Sequence, residues 1–165
     1  MKQLILIRHA KSSWDDPSLP DLERPLNERG KKDVPVMAKR LSEKIKRIDC
    51  FVSSPAKRAM QTCKRLTKAL GFKKKKIVEE PALYEAGEEN FYKVVEKFKN
   101  KWDSVAIISH NPGLTSFANS LTGTKVDDMP TCSVMAIKLE IDNWVDFRAA
   151  KKEFWFFDYP GAQDS

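Results

Sequence analysis

Apolar positions along this chain fall into two patterns, short continuous runs and segments where apolar residues return every three or four positions. Leu4 to Ile7 is a continuous run, as expected of a strand buried on both faces. Asn27 then suits a helix N-cap, and Val34, Met37, Ala38, Leu41 and Ile45 follow at helical spacing. Pro35 within that pattern is expected in the first turn or at a kink. Cys50-Phe51-Val52 predicts a second short strand. Ser54 and Pro55 then read as the cap and first turn of a helix that runs to about Leu70 and stops at Gly71. Ile77-Val78 predicts a short edge strand, and Phe91, Val94, Val95 and Phe98 mark another helix. Ser104 to Ile108 is a third apolar strand, followed by a helix from about Leu114 to Leu121. Ser133 to Ile141 alternates apolar and polar residues, as a half-buried strand does. A turn at Asp142-Asn143 and a strand near residues 153–157 complete a terminal antiparallel pair.

Strands alternating with helices predict an α/β domain: three layers, α/β/α, around a mainly parallel central sheet. A chain of 165 residues fits one such domain, expected over 1–158, with 159–165 as a flexible tail. The hydrophobic fraction of 41% supports a packed core and argues against wholesale disorder.

Net charge is +7, much of the excess lying in the run Lys73 to Lys76, read as a solvated loop. Nucleic-acid binding would call for a basic face interleaved with stacking aromatics, and none is present, so no nucleic-acid partner is expected. Cys50, Cys63 and Cys132 lack metal-site spacing and read as reduced, buried thiols; no metal site and no cofactor are expected. The first apolar run ends at Arg8, and no stretch reaches the roughly 18–20 apolar residues of a membrane helix, so a soluble cytoplasmic protein is expected. With no heptad pattern, a monomer is the default.

The chemistry gathers where strands end. Each of the two histidines, His9 and His110, directly follows an apolar strand, and parallel sheets collect ligands at their carboxyl ends. Three loops leave such ends: Arg8-His9, Ser53 to Arg58, and Ser109 to Gly113, with Asn111 beside His110. Two arginines, two histidines and several helix-start amides suit a phosphoryl group. The guanidinium fork matches phosphate oxygens, and helix N-termini favour anions. A neutral histidine can attack phosphorus, and a second, protonated one can stabilise the equatorial oxygens. Taken singly, each loop also reads as an ordinary turn or a solvated arginine. Their shared end of one sheet argues against three such coincidences.

These residues resemble the histidine phosphatase superfamily, also called phosphoglycerate mutase-like. Leu6-Ile7-Arg8-His9-Ala10 is similar to its Arg-His-Gly motif, with Ala10 where glycine is common. Pro25-Leu26-Asn27-Glu28-Arg29-Gly30 is similar to its Pro-Leu-Thr-x-x-Gly segment. Residues 53–62 resemble its Ser-Ser-x-x-x-Arg-Ala-x-x-Thr segment, and Ser109-His110-Asn111-Pro112-Gly113 its second histidine motif. The motifs come in the family's order. Short intervals, with no room for a large cap insertion, look most like the SixA-type phosphohistidine phosphatases.

The resemblance implies a fold of that type and a metal-independent phosphatase with His9 as nucleophile. Arg8, Arg58 and His110 would complete the phosphate pocket, with Asn111 at its edge. Leu83-Tyr84-Glu85 is similar to the segment carrying the family's proton donor, so Glu85 is either that donor or a surface carboxylate beside Glu88 and Glu89. Lys11, Ser12 and Trp14 are placed to rim the pocket. The expected substrate is a protein phosphohistidine. A broad activity on small phosphoesters is the alternative in the same class, and a non-catalytic phosphate-binding module the alternative in another.

Overall fold

The computed structural model describes residues 1–162. A six-stranded sheet runs through the chain: β1 (Lys2–Arg8), β2 (Cys50–Ser53), β3 (Ile77–Glu79), β4 (Ser104–Ser109), β5 (Val134–Leu139) and β6 (Glu153–Asp158). Its order is β3-β2-β4-β1-β5-β6. The first four strands are parallel, β5 is antiparallel to β1, and β6 antiparallel to β5. Helices α1 (Glu28–Lys44) and α2 (Lys57–Ala69) cover one face; α3 (Glu88–Glu96) and α4 (Gly113–Leu121) cover the other. This is the expected three-layer α/β/α architecture.

The side-chain period of two explains the continuous apolar runs. In β1, Leu4 and Leu6 enter the core under α3 and α4, while Ile5 and Ile7 enter the core under α1 and α2. Central strands have no solvated face, so every position must be apolar or paired. Lys2 obeys the second condition: it is buried, and its ammonium donates to Asn100 O and Trp102 O and pairs with Asp103.

Several details depart from the sequence reading. β5 is not half-buried: it lies between β1 and β6, and both of its faces meet a core. The expected antiparallel β5–β6 pair is present, and in its link a short 3-10 turn over Trp144–Asp146 seals the end of one core with Trp144 and Phe147. Pro35 sits in the interior of α1, on its exposed side, where the carbonyl it leaves unbonded can meet water. Helix α2 begins at Lys57, not Pro55, and Ser54 is not its cap. Other signals hold as read. Asn27 Oδ1 accepts from Gly30 N at 2.8 Å, and Gly71, at φ +81°, closes α2 while Phe72 N donates back to Thr67 O. The three cysteines are buried free thiols.

Of the expected tail, 163–165 lie outside the described residues. Residues 159–162 lie against α1, where Arg40 donates to Tyr159 O, Ala162 O and the Asp158 carboxylate. Among the described residues, no helix is long and apolar enough to cross a membrane.

Candidate active site

Topology gathers the chemistry-bearing loops. Strands β1, β2, β3 and β4 are parallel, so the segments after them, carrying His9, Ser54, Glu85 and His110, emerge at the same edge. The His9 and His110 rings stand 5.1 Å apart between centroids. A cavity of about 600 Å³ is lined by Arg8, His9, Arg58, His110 and Asn111, together with the rim residues Lys11, Ser12 and Trp14. A second cavity, also about 600 Å³, adjoins it and shares Arg58, His110 and Asn111; its wall holds Tyr84, Glu85 and Glu88. Another cavity, about 730 Å³, lies by Met1 and Lys138–Ile141 and contains none of these groups.

His9 is held from several sides. Its amide donates to Ser109 O at 3.1 Å, and the Cys132 amide is shared between Arg8 O and His9 O. Thr62 Oγ1 accepts from Ala10 N and donates to Arg58 O, locking the loop to α2. Ala10 adopts no positive φ, so its side chain brings no backbone strain to this loop. His9 Nδ1 lies 2.7 Å from Ala10 O. A carbonyl only accepts, so Nδ1 carries the proton and Nε2 keeps its lone pair. Burial first, with the charges of His110, Arg58 and Arg8 behind it, pushes the His9 pKa down to about 3. The ring is therefore a neutral base with one nitrogen pinned and the other available.

His110 favours its neutral form in the free site. Burial, then Arg58, lowers its pKa to about 4. Its Nε2 lies 2.6 Å from Ser54 Oγ, which also accepts from Ala56 N at 3.3 Å. Ser54, read from sequence as a helix cap, thus orients the second histidine. Among the described residues, His110 Nδ1 is buried without a hydrogen-bond partner. Such an orphaned polar atom is costly unless a ligand completes it.

Arg8 donates to Met129 O at 2.7 Å and stands 4.0 Å from Asp128. Arg58 is buried and fixed by Asp21, through Nη1 to the main-chain oxygen at 2.7 Å and Nη2 to the carboxylate at 2.9 Å. Tyr84 donates to that carboxylate at 2.6 Å, which holds Asp21 below its ordinary pKa and raises the Tyr84 phenol to about 12. Sequence reasoning missed Asp21, Tyr84 and Arg24. Asp21 sits in the proline-bearing loop before α1, where nothing local marks it, and it meets Arg58 only through the fold.

Two predicted residues fit less well. The Asn111 side chain lines both cavities, but its amide donates to Asp128 and Met129 O and its oxygen accepts from Thr115. It pins the loop and has no donor left for a phosphate. Glu85 is exposed at φ +54° and lines the second cavity, not the one that holds His9. Among the described residues, no group of three or more His, Cys, Asp or Glu side chains is placed to hold a metal ion.

Comparisons with known proteins agree with this fold. The profile of the Histidine phosphatase superfamily (branch 1) matches residues 4–92. A protein assigned as phosphohistidine phosphatase SixA from Agrobacterium tumefaciens superposes with a TM-score of 0.82 at 23% identity, covering 97% of this chain and 99% of that one. The protein histidine phosphatase SixA complexed with tungstate superposes at 0.79 with 23% identity, covering 96% and 97%. At such identities the likeness is one of fold. An uncharacterized chloroplastic protein of Arabidopsis thaliana is 28% identical over 151 residues, 87% of this chain and 69% of that protein.

Proposed function

The chain belongs to the histidine phosphatase superfamily, and from that premise we propose a metal-independent phosphatase that passes the phosphoryl group through His9, with protein phosphohistidine as its substrate. The observation that carries this reading is the state of His9: neutral, pinned through Nδ1, and facing a cavity lined by Arg8, Arg58 and His110.

In the first step His9 Nε2 donates its lone pair to phosphorus, and the substrate's P–N bond breaks. A phosphohistidine protonated on its other ring nitrogen leaves as neutral imidazole, so no acid is needed. Arg8 and Arg58 meet the equatorial oxygens, where charge is spread in the transition state. Bound phosphate also offers the negative charge that His110 lacks in the free site, favouring its protonated form. In the second step water attacks phosphorus, the His9 N–P bond breaks, and the water's proton goes to solvent. Binding of tungstate, a phosphate-like oxyanion, by the SixA relative supports an oxyanion pocket of this kind. Among the described residues no large insertion between the elements caps the cavity, which suits a substrate carried on a protein surface.

Glu85 favours a second reading, activity on small phosphoesters. It lines the cavity that shares Arg58 and His110, and a carboxyl there can protonate an ester leaving group. Incubation with a phosphohistidine-bearing carrier protein and with an aryl phosphate, both in EDTA, separates the readings. Fast release from the carrier, abolished in His9→Ala, is expected. Release that EDTA suppresses would overturn the mechanism. Fast release from the ester alone, reduced in Glu85→Gln, would establish the second reading, and no release from either substrate would favour a binding module.

A further inference from the structure

The cavity above His9 holds more positive charge than the transferred group accounts for. Arg8 and Arg58 flank the histidines, yet Arg24 lines the same cavity from the segment before α1. Its side chain is 9% exposed. Burial, and after it the charge of Arg58, lowers its pKa. A buried guanidinium ordinarily sits against a carboxylate in a paired fork. Arg24 does not. The nearest Asp21 oxygen is 3.9 Å from Nη1, while the other Asp21 oxygen is taken by Arg58 and Tyr84. Among the described residues, Arg24 Nη2 donates to the Ser12 hydroxyl alone, and Nε is buried with no hydrogen-bond partner.

Its plane is nonetheless held in place. The Trp14 ring lies over the guanidinium, 3.4 Å from it to the ring centroid, in a cation–π stack. Trp14 itself is 75% exposed. Lys11, Ser13 and Thr131 line the same cavity and add further donors; Asp15 and Asp21 are the acids among its lining residues. A buried, stacked and under-paired arginine beside an open cavity has the character of an anion site.

We propose that Arg24, with Lys11, forms a second anion subsite beside the phosphoryl pocket, so that preferred substrates carry a carboxylate or a second phosphoryl group on the leaving-group side. The assignment of that side rests on His9 as nucleophile; the existence of the subsite does not.

The test compares matched substrates in wild type, Arg24→Gln and Arg24→Lys. One pair is 4-carboxyphenyl phosphate against its neutral isostere 4-carbamoylphenyl phosphate; the other is a phosphohistidine peptide with Glu or with Gln beside the phosphohistidine. The acidic member should be favoured in kcat/KM by about tenfold or more in wild type, chiefly through KM, as one charge-assisted contact implies. That ratio should fall to about one in Arg24→Gln and be partly kept in Arg24→Lys. Preference in the ester pair points to small acidic esters, and in the peptide pair to acidic peptides. Calorimetric titration with pyrophosphate and orthophosphate reads the subsite without turnover, and the same tenfold preference for pyrophosphate, lost in Arg24→Gln, is expected. Equal treatment of acidic and neutral probes by wild type, or a preference unchanged in Arg24→Gln, overturns the subsite. Absent turnover with an Arg24-dependent pyrophosphate preference would instead sink the phosphatase reading and leave the subsite standing.

Discussion

His9 and His110 owe their chemistry to burial, and burial ties that chemistry to stability. Their folded pKa values, about 3 and about 4, lie below the ordinary 6.5. Below pH 6.5 the unfolded chain takes up protons that the folded chain refuses. Stability is thus complete above that pH and is lost as pH falls toward the folded values, by about 1.4 kcal/mol per pH unit for each histidine. Urea unfolding at pH 7 and pH 5 should show a loss on the order of 3 kcal/mol, and His9→Gln should remove about half of the slope. An equal slope in the variant would contradict the buried neutral state. Ser54→Ala removes the hydroxyl that orients His110, and turnover should fall roughly ten- to a hundredfold with KM little changed. At this scale the sequence revealed the two histidines and two arginines, because each stands in a local motif. Ser54, Asp21 and Tyr84 were not legible as site residues, since their partners His110 and Arg58 are distant in sequence and meet them only across the folded sheet.

Among the elements, two glycines show how the loops are held against one another. A Cβ on Gly113, at the start of α4, would lie 1.8 Å from Ala86 O, and one on Gly30 would lie 2.2 Å from Lys11 O. Both are backbone contacts, so neither can yield by a rotamer change. Gly113 therefore sets the distance between the His110 loop and the segment bearing Glu85, and Gly30 the distance between α1 and the His9 loop. Gly113→Ala should lower the melting temperature by roughly 5–10 °C, from a cost of about 2–3 kcal/mol. Gly87→Ala, whose nearest contact would be the Asn90 side chain at 3.7 Å, should leave it nearly unchanged. Thermal denaturation followed by circular dichroism reads both. The strands and helices themselves were legible because apolar period and cap chemistry are local signals. The start of α2 and the burial of β5 were not. Ser54 is engaged by His110, and an alternating pattern cannot reveal that a core lies against each face of the strand.

Across the whole molecule, function follows from the strand order. Placing β4 between β2 and β1 brings the His110 loop beside the His9 loop and the Ser54 loop, although the two histidines are far apart in the chain. That adjacency was foreseeable from parallel strands and their carboxyl ends, whereas the cavity's third arginine was not, because Arg24 looks like any polar residue of a loop. The central claim is that phosphate passes through His9. It is tested most directly by mixing the protein with a reactive phosphodonor, quenching in alkali, where phosphohistidine survives, and mapping the adduct by mass spectrometry. A phosphoryl group on His9 Nε2, absent in His9→Ala and trapped longer in Ser54→Ala, is the expected result; turnover of the donor with no adduct on His9, or with the adduct on another residue, would contradict the account.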